Sequence, residues 1–406
     1  MPAQDHQGFP CAASVPFPSL LNLRRDQVHA IDDHMAADQH ALLLRLHGCV
    51  AEYLQDLAVA DADGFLSISW VCKLLHGFLI CHEEFRAVLL DRVPLVVRPP
   101  LDRFIADFSD RAVKALDICN AARDGIDHLR RCRAHVEIVV AALSPAAAAS
   151  SSSSSSQRRL GEGQARRARK ALGELEVMLD DKDCGHSSRN RFFGYSASAG
   201  SFFSSSSNRR MLQLRSISSS VSRSWSASRQ LQAMGSNVVA PRDHEIDSTA
   251  GLAVPIYTMS AVLLFAMRSL MVALRGQDRA LQAQIFIPRA FPWAAPIMSL
   301  HQRVAEESKK KDRRNSPGLL KELRQIHSCT HHLISTIDNI QFPMSEEKEK
   351  ELKQGALELS RVCEVLKQGL DTLERQIMEI FLRIGRSRAE ALDLSSRSLQ
   401  RGHALF

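Results

Sequence analysis

The chain has 406 residues, of which 45% are hydrophobic and 24% charged, so it can bury a sizeable core and wholesale disorder is excluded. The formal net charge is +7, and residues 185–240 account for the excess because they hold seven arginines and no acidic residue. Seven cations over this length are sparse for a nucleic-acid-binding arm, so we expect no nucleic-acid partner.

The N-terminus and the cysteines indicate a cytosolic protein. Residues 1–19 contain four prolines and neither lysine nor arginine, which is not the pattern of a secretory signal; we expect a disordered lead-in. The nine cysteines include no Cys-x-x-Cys pair. We therefore expect reduced thiols rather than a disulfide framework.

Residues 20–145 predict an N-terminal antiparallel bundle of four amphipathic helices. Apolar residues recur at steps of three and four from residue 36 to 59, and again from about Ser69. A third helix is expected to begin at Leu101. Gly125 is expected to separate it from a fourth helix.

Residues 146–247 predict a low-complexity linker, basic and rich in serine and alanine. A short helix is expected between residues 158 and 181. Its N-terminal end is basic and its C-terminal end acidic, opposite to what the helix dipole favours. The basic part is interpreted as a solvated tether, with contact to acidic lipid as the alternative. Serines next to arginines form candidate phosphorylation sites, namely Ser216, Ser218, Ser224 and Ser226.

Residues 248–267 are twenty consecutive uncharged residues, long enough to cross a bilayer. Arg268 follows directly, and a buried bundle helix would show the same pattern, so both interpretations stay open. If the segment enters a membrane, the candidate residues are Leu252, Tyr257, Leu263, Leu264 and Phe265.

The clearest helical pattern lies in the C-terminal region, 248–406, which is expected to pack on the first bundle. Apolar residues keep a strict 4-3 spacing from Leu352 to Ile384, and Ser345 is a plausible N-cap. We interpret this coiled-coil-like helix as the spine of a bundle with exposed anchors for a partner. The candidate partner-binding residues are Leu359, Leu366, Leu373, Ile377 and Ile380.

No motif points to catalysis or to a cofactor. His327 and His331 are four residues apart and could share a metal on one helix face, but the residue after His327 is Ser328, whereas the metalloprotease motif has Glu there. No second ligand pair is evident. We therefore expect no metal, no cofactor and no catalytic residue. The predicted fold class is all-α: an elongated helical bundle with a long heptad-patterned C-terminal helix and a disordered basic insert.

Several stretches resemble the plant BYPASS-related family, including its ROH branch. These stretches follow the order found in the family and extend along nearly the whole chain: Asn22–His29, Phe65–Leu75, Val113–Ala121, Ser222–Leu231 and Pro255–Phe265. The resemblance implies a helical protein without enzymatic activity. It also implies a cytoplasmic, membrane-associated location, with single-pass insertion near 248–274 as an option.

The resemblance further implies a role in binding. Its ROH branch implies an adaptor that binds an exocyst subunit and influences polarised secretion. The BYPASS branch implies the alternative, a regulator of a mobile root-derived growth signal, to which we add a small-ligand pocket inside the bundle. The oligomeric state is not predicted.

Overall fold

The computed structural model describes residues 41–60, 64–90, 99–144, 160–180, 227–276, 287–310 and 318–403, with side chains up to Glu390. All regular secondary structure in these ranges is helical, which confirms the all-α prediction. Leu46–Phe406 form one compact unit, and the described residues before it, 41–45, are helical.

Ten helices occur within the described ranges. In chain order they are α1 (described over 41–58), α2 (Ile68–Leu90), α3 (Leu101–Leu143), α4 (Glu162–Asp180), α5 (Ala227–Gly235), α6 (Asp243–Ser248), α7 (Ala253–Arg275), α8 (Ala294–Lys309), α9 (Lys321–Asp338) and α10 (Glu346–His403).

Helix α7 lies at the centre of the bundle. All of its residues except Val254, Arg268 and Arg275 are buried, and α2, α3, α5, α6 and α8 pack around it. By length and composition α7 could cross a membrane, but other helices bury nearly all of its residues inside the protein. A helix that is apolar on nearly every face is stable in water only when neighbouring helices bury it. This arrangement is that of a buried bundle helix.

The C-terminal end of α7 is fixed by backbone contacts. The amides of Leu319 and Leu320 donate to the carbonyls of Val272 and Ala273 at 3.2 and 3.0 Å, and the Val272 carbonyl also accepts from the Gly276 amide at 3.0 Å. Ala273 has one of the last four carbonyls of α7, which a helix end leaves without a partner inside the helix. A Cβ atom on Gly318 would lie 2.6 Å from the Ala273 carbonyl oxygen. Only glycine therefore permits this approach.

The N-terminal end of α2 is fixed by a buried acid on α9. The Glu322 carboxylate accepts a hydrogen bond from the Ile68 amide at 3.1 to 3.2 Å and lies at the positive end of the helix dipole. Burial raises the pKa of Glu322, although this hydrogen bond opposes the shift. One side chain thus joins two helices that are 254 residues apart in the sequence.

Helix α10 is the spine that its heptad pattern predicts. Its apolar stripe is buried against α2, α3 and α9, and the Lys348 amide donates to the Ser345 hydroxyl at 3.4 Å, which places Ser345 as the N-cap. Ion pairs fix the contact with α3, since Arg130 Nη2 lies 2.6 Å from Glu374 Oε2 and 2.8 Å from Asp371 Oδ1.

The expected break at Gly125 is wrong, because α3 continues through it to Leu143. A glycine inside a helix costs about 0.5–1 kcal/mol relative to alanine, so its presence suggested a boundary. Here the missing side chain serves packing: a Cβ atom on Gly125 would lie 3.3 Å from Cβ of Leu274 on α7. The two predicted helices are therefore one helix of 43 residues.

Part of the segment expected to be a linker is helical: α4 confirms the short helix predicted between residues 158 and 181, whereas the sequence did not predict α5. Helix α4 packs against α3 and α9, and α5 packs against α3 and α7. In α4, small and apolar residues at steps of three and four are buried, including Ala165, Ala168, Leu172 and Leu175. The candidate phosphorylation sites Ser216, Ser218, Ser224 and Ser226 lie outside the described residues.

The packing of α1 on α2 gives a first prediction. The Tyr53 ring lies against Gly77, where an added Cβ would be 1.9 Å from Cδ2, and its hydroxyl donates to the Leu74 carbonyl at 2.9 Å. Gly77→Ala should therefore lower the free energy of unfolding by about 1–3 kcal/mol through overpacking. Gly385→Ala on α10, where no atom lies within 4 Å, should raise it by about 0.5–1 kcal/mol. Urea unfolding measures both, and equal effects of the two substitutions would contradict this packing.

The contact between α7 and α8 gives a prediction for pH. Burial and the nearby Arg268 lower the pKa of His301 to about 3, and His301 packs edge-on against the Phe265 ring at 4.9 Å. Its Nε2 atom is buried and has no hydrogen-bond partner among the described residues. Because the folded pKa lies below the ordinary 6.5, the unfolded chain binds the proton more readily, and stability falls as the pH drops below 6.5.

Between pH 7.5 and 5, His301 should contribute a loss of about 1–2 kcal/mol in the free energy of unfolding. His301→Phe should reduce this loss. Urea unfolding at the two pH values measures the difference. An unchanged pH dependence in His301→Phe would show that this histidine titrates alike in both states.

Candidate functional site

A surface groove lies where α2, α3 and α10 meet. Its floor is apolar: the Phe85 and Phe108 rings pack edge-on at 5.0 Å, and Phe85, Ala112 and Ile384 are buried. Leu90 on the rim is 45% exposed. The cavity volume is about 90 Å³, so the groove is a shallow apolar surface.

Charged side chains connect two of the helices that form the groove. Arg86 makes two hydrogen bonds to Glu390, at 2.8 and 3.1 Å, which tie the end of α2 to α10. His82 lies beneath this pair, and burial together with Arg383 lowers its pKa to about 4, so the imidazole is neutral at pH 7. Arg388 on the rim makes no ion pair with any residue that the structure describes, so a positive charge remains beside the apolar floor.

A second concave site, the arginine-lined cavity, lies between the first turns of α3 and α7 and the connection from α5 to α6. Its volume is about 530 Å³, which is large enough for a small organic ligand. The polar side chains in its wall are Arg103, Asp107, Arg111, Asn237, Arg242, Glu245, Tyr257 and Ser260.

Arg111 is the most unusual group in this cavity. It is only 7% exposed, and its Nη2 donates to the Asn237 carbonyl at 2.8 Å. Its Nε is buried and has no hydrogen-bond partner in the part of the chain that the structure describes. Burial lowers the pKa of Arg111, and the nearby Asp107 and Asp110 partly oppose this. A buried guanidinium without a bonded carboxylate favours an anion beside it.

The remainder of the wall agrees with an anionic occupant. Arg103 and Arg242 add two cations, while Glu245 accepts a hydrogen bond from the Arg242 amide at 2.8 Å within the α6 cap. Burial raises the pKa of Tyr257 to about 12, so its phenol keeps its proton at neutral pH. With Arg111 the wall holds three cations against the two carboxylates of Asp107 and Glu245, so a positive excess and a neutral hydroxyl suit a carboxylate or phosphate.

A third cluster of polar side chains joins α4 and α9. His327 Nε2 and His331 Nε2 are 3.1 Å apart, and Asp180 Oδ1 is 3.8 Å from His327 Nε2. Glu176 Oε1 lies 3.3 Å from His331 Nδ1. Sequence spacing indicated the two histidines but not the acids, which come from a distant helix.

The two predicted groups of apolar site residues are both buried. The candidate partner-binding residues of α10 point into the bundle, with Leu359, Leu366, Leu373, Ile377 and Ile380 all at 0% exposure. The candidate membrane residues Leu252, Tyr257, Leu263, Leu264 and Phe265 are at most 5% exposed. Of these ten, only Tyr257 lines one of the two concave sites.

Sequence analysis missed the groove and the cavity because each combines residues from three or more separated segments. One local signal is present: Arg111 directly precedes Ala112, which is buried in α3. An arginine at the edge of an apolar stripe indicates either a buried ion pair or a ligand contact.

Comparisons with known proteins identify the family. The family model described as "Protein ROH1-like" matches residues 1–395. The chain is similar to Protein ROH1D of Arabidopsis thaliana, with 45% identity over 392 residues, covering 92% of this chain and 95% of that protein. It is also similar to Protein ROH1A of the same plant, with 32% identity over 428 residues and 97% of each chain covered. No solved structure matches significantly. The chain therefore belongs to the ROH1-like family, which indicates a regulatory protein.

Proposed function

We propose that this chain is a non-enzymatic adaptor that binds an exocyst subunit and thereby influences polarised secretion in plants. Membership of the ROH1-like family over nearly the whole chain supports this proposal, as does the resemblance of its motifs to the ROH branch. The observation that carries the proposal is that the fold leaves an apolar groove accessible at its surface. The α10 stripe is used within the bundle, and the groove between α2, α3 and α10 stays accessible.

The groove suits one kind of occupant, an amphipathic helix of the exocyst subunit. Helix-in-groove recognition needs an apolar floor for anchors spaced at helical intervals, and Phe85, Phe108 and Ile384 provide it. Arg388 on the rim favours an acidic residue next to those anchors, because it has no ion pair within the described structure. Such rim charges set orientation and specificity more than affinity.

The proposed location is cytoplasmic and membrane-associated. Burial of α7 supports association through the surface rather than through a spanning helix. The seven arginines between residues 185 and 240 supply charge for acidic lipid, and phosphorylation at Ser216, Ser218, Ser224 or Ser226 would weaken that attraction.

Affinity capture from plant membranes in mild detergent tests the adaptor role. The wild-type chain should recover exocyst subunits, and a Leu90→Glu/Arg388→Glu variant should recover about tenfold less, because it places negative charge on the apolar rim and reverses the rim cation. Leu357→Glu is the matched control, since Leu357 is 47% exposed on α10 and does not line the groove.

The adaptor role and the groove as its docking surface can be rejected separately. Recovery of no exocyst subunit by the wild-type chain would contradict the adaptor role. Equal recovery by the groove variant and the control would reject the groove as the docking surface while leaving the adaptor role intact. Circular dichroism should first show that all three proteins are folded.

The arginine-lined cavity supports a second candidate function. In this alternative the chain regulates a mobile root-derived growth signal by binding a small anionic ligand in the bundle. The specific observation is Arg111, a buried cation whose Nε has no partner among the described residues, in the wall of a cavity of about 530 Å³. An anion in the cavity would offset the charge of this buried guanidinium.

Thermal unfolding with inorganic pyrophosphate or citrate tests this alternative. A ligand that binds only the folded state raises Tm, so either probe should stabilise the wild-type chain by a few degrees. Arg111→Met should lose the shift, and Arg166→Met, which removes a side chain 79% exposed on α4, should keep it. An equal shift in both variants, or none in the wild-type chain, would rule out an anion bound at Arg111.

A further inference from the structure

The surface cluster formed by α4 and α9 has the parts of a metal site. Two of its residues, His327 and His331, are one helical turn apart on α9, and Asp180 ends the helix that packs beside them. One potential ligand atom from each residue, a ring nitrogen of each histidine and an oxygen of Asp180, lies within 4.8 Å of the other two. They come from positions 147 residues apart in the sequence, so the packing of α4 on α9 brings them together.

The geometry of the histidine pair is close to that of two ligands on one ion. Their Nε2 atoms are 3.1 Å apart and the rings are nearly perpendicular, at 73°. Two nitrogens at about 2.0–2.1 Å from a common zinc ion are separated by a similar distance. Asp180 Oδ1 is 3.8 Å from His327 Nε2, and because this carboxylate is exposed at a helix end, a small rotation brings it to the same ion.

A second carboxylate orients one of the ligands. Glu176 Oε1 lies 3.3 Å from His331 Nδ1 and can accept a hydrogen bond from a protonated Nδ1. This tautomer leaves the Nε2 lone pair of His331 facing His327. A carboxylate that binds the far nitrogen of a ligand histidine is the usual second layer of a protein zinc site, where it fixes the ring and increases its basicity.

The neighbouring imidazole of His332 and thiol of Cys329 have other partners. His332 Nε2 is 3.3 Å from Glu351, and Cys329 Sγ donates to Glu358 at 3.6 Å, so both are directed towards α10. His332 therefore shares the helix, the residue type and the exposure of the cluster without belonging to it. It provides a matched control.

We propose that His327, His331 and Asp180 bind one zinc ion, with Glu176 as a positioning residue and water in the fourth position. Two imidazoles and one carboxylate are nitrogen and oxygen ligands of the type that zinc accepts in tetrahedral sites. The ion joins the C-terminal end of α4 to the middle of α9. Its effect is to hold α4 on the bundle, and the open position leaves room for a ligand from solvent or from a partner.

Isothermal titration of the full-length chain with Zn²⁺ tests the site. The chain also holds sixteen histidines and nine cysteines, so the informative quantity is the difference between variants. The wild-type and His332→Ala proteins should share one tight zinc equivalent, which the His327→Ala/His331→Ala variant should lack. Glu176→Gln should keep the equivalent with a Kd raised about 10-fold or more.

Thermal unfolding with and without zinc provides an independent readout. Zinc should raise Tm by a few degrees in the wild-type and His332→Ala proteins, and a chelator should reverse the increase. The double variant should unfold at the same temperature with and without the ion. The proposal is overturned if the double variant binds zinc as tightly as the wild-type chain, or if the wild-type chain shows no tight equivalent.

Discussion

The near-complete burial of α7 is the constraint on which the rest of the described structure depends. Because this helix is apolar on nearly every face, it is stable in water only when other helices surround it. Helices α2, α3, α5, α6 and α8 do so, although their residues extend from 68 to 309 in the chain. Arg275, the last residue of α7, is exposed, so a charge appears where the cover ends.

Each candidate site includes residues near the end of a helix. The groove forms at the end of α2 beside the start of α3, and the arginine-lined cavity forms at the start of α7. The histidine cluster lies at the last residues of α4, where that helix leaves α9. Polar and charged residues from different helices meet near these ends and form the candidate binding sites. The continuous apolar faces of the helices pack in the core.

The sequence predicted the parts of the fold that depend on local periodicity and missed those that depend on tertiary contact. The stripe of α10 and its Ser345 cap follow from spacing alone. Gly125 is misread from the sequence because only its contact with Leu274 explains it. The sequence predicts a short helix at the place of α4 but not its packing against α3 and α9. Likewise, His331 is visible in the sequence, but its proximity to Glu176 is a product of the fold.

A folded bundle and a membrane-spanning α7 exclude each other for energetic reasons. Moving α7 into a bilayer would expose the apolar faces of α2, α3 and α5 that now cover it, and each large apolar side chain returned to water costs about 1.5–3 kcal/mol. A few such residues equal the typical net stability of a domain, about 5–15 kcal/mol. Membrane association that preserves this bundle must therefore use surface groups, such as basic side chains that bind acidic headgroups.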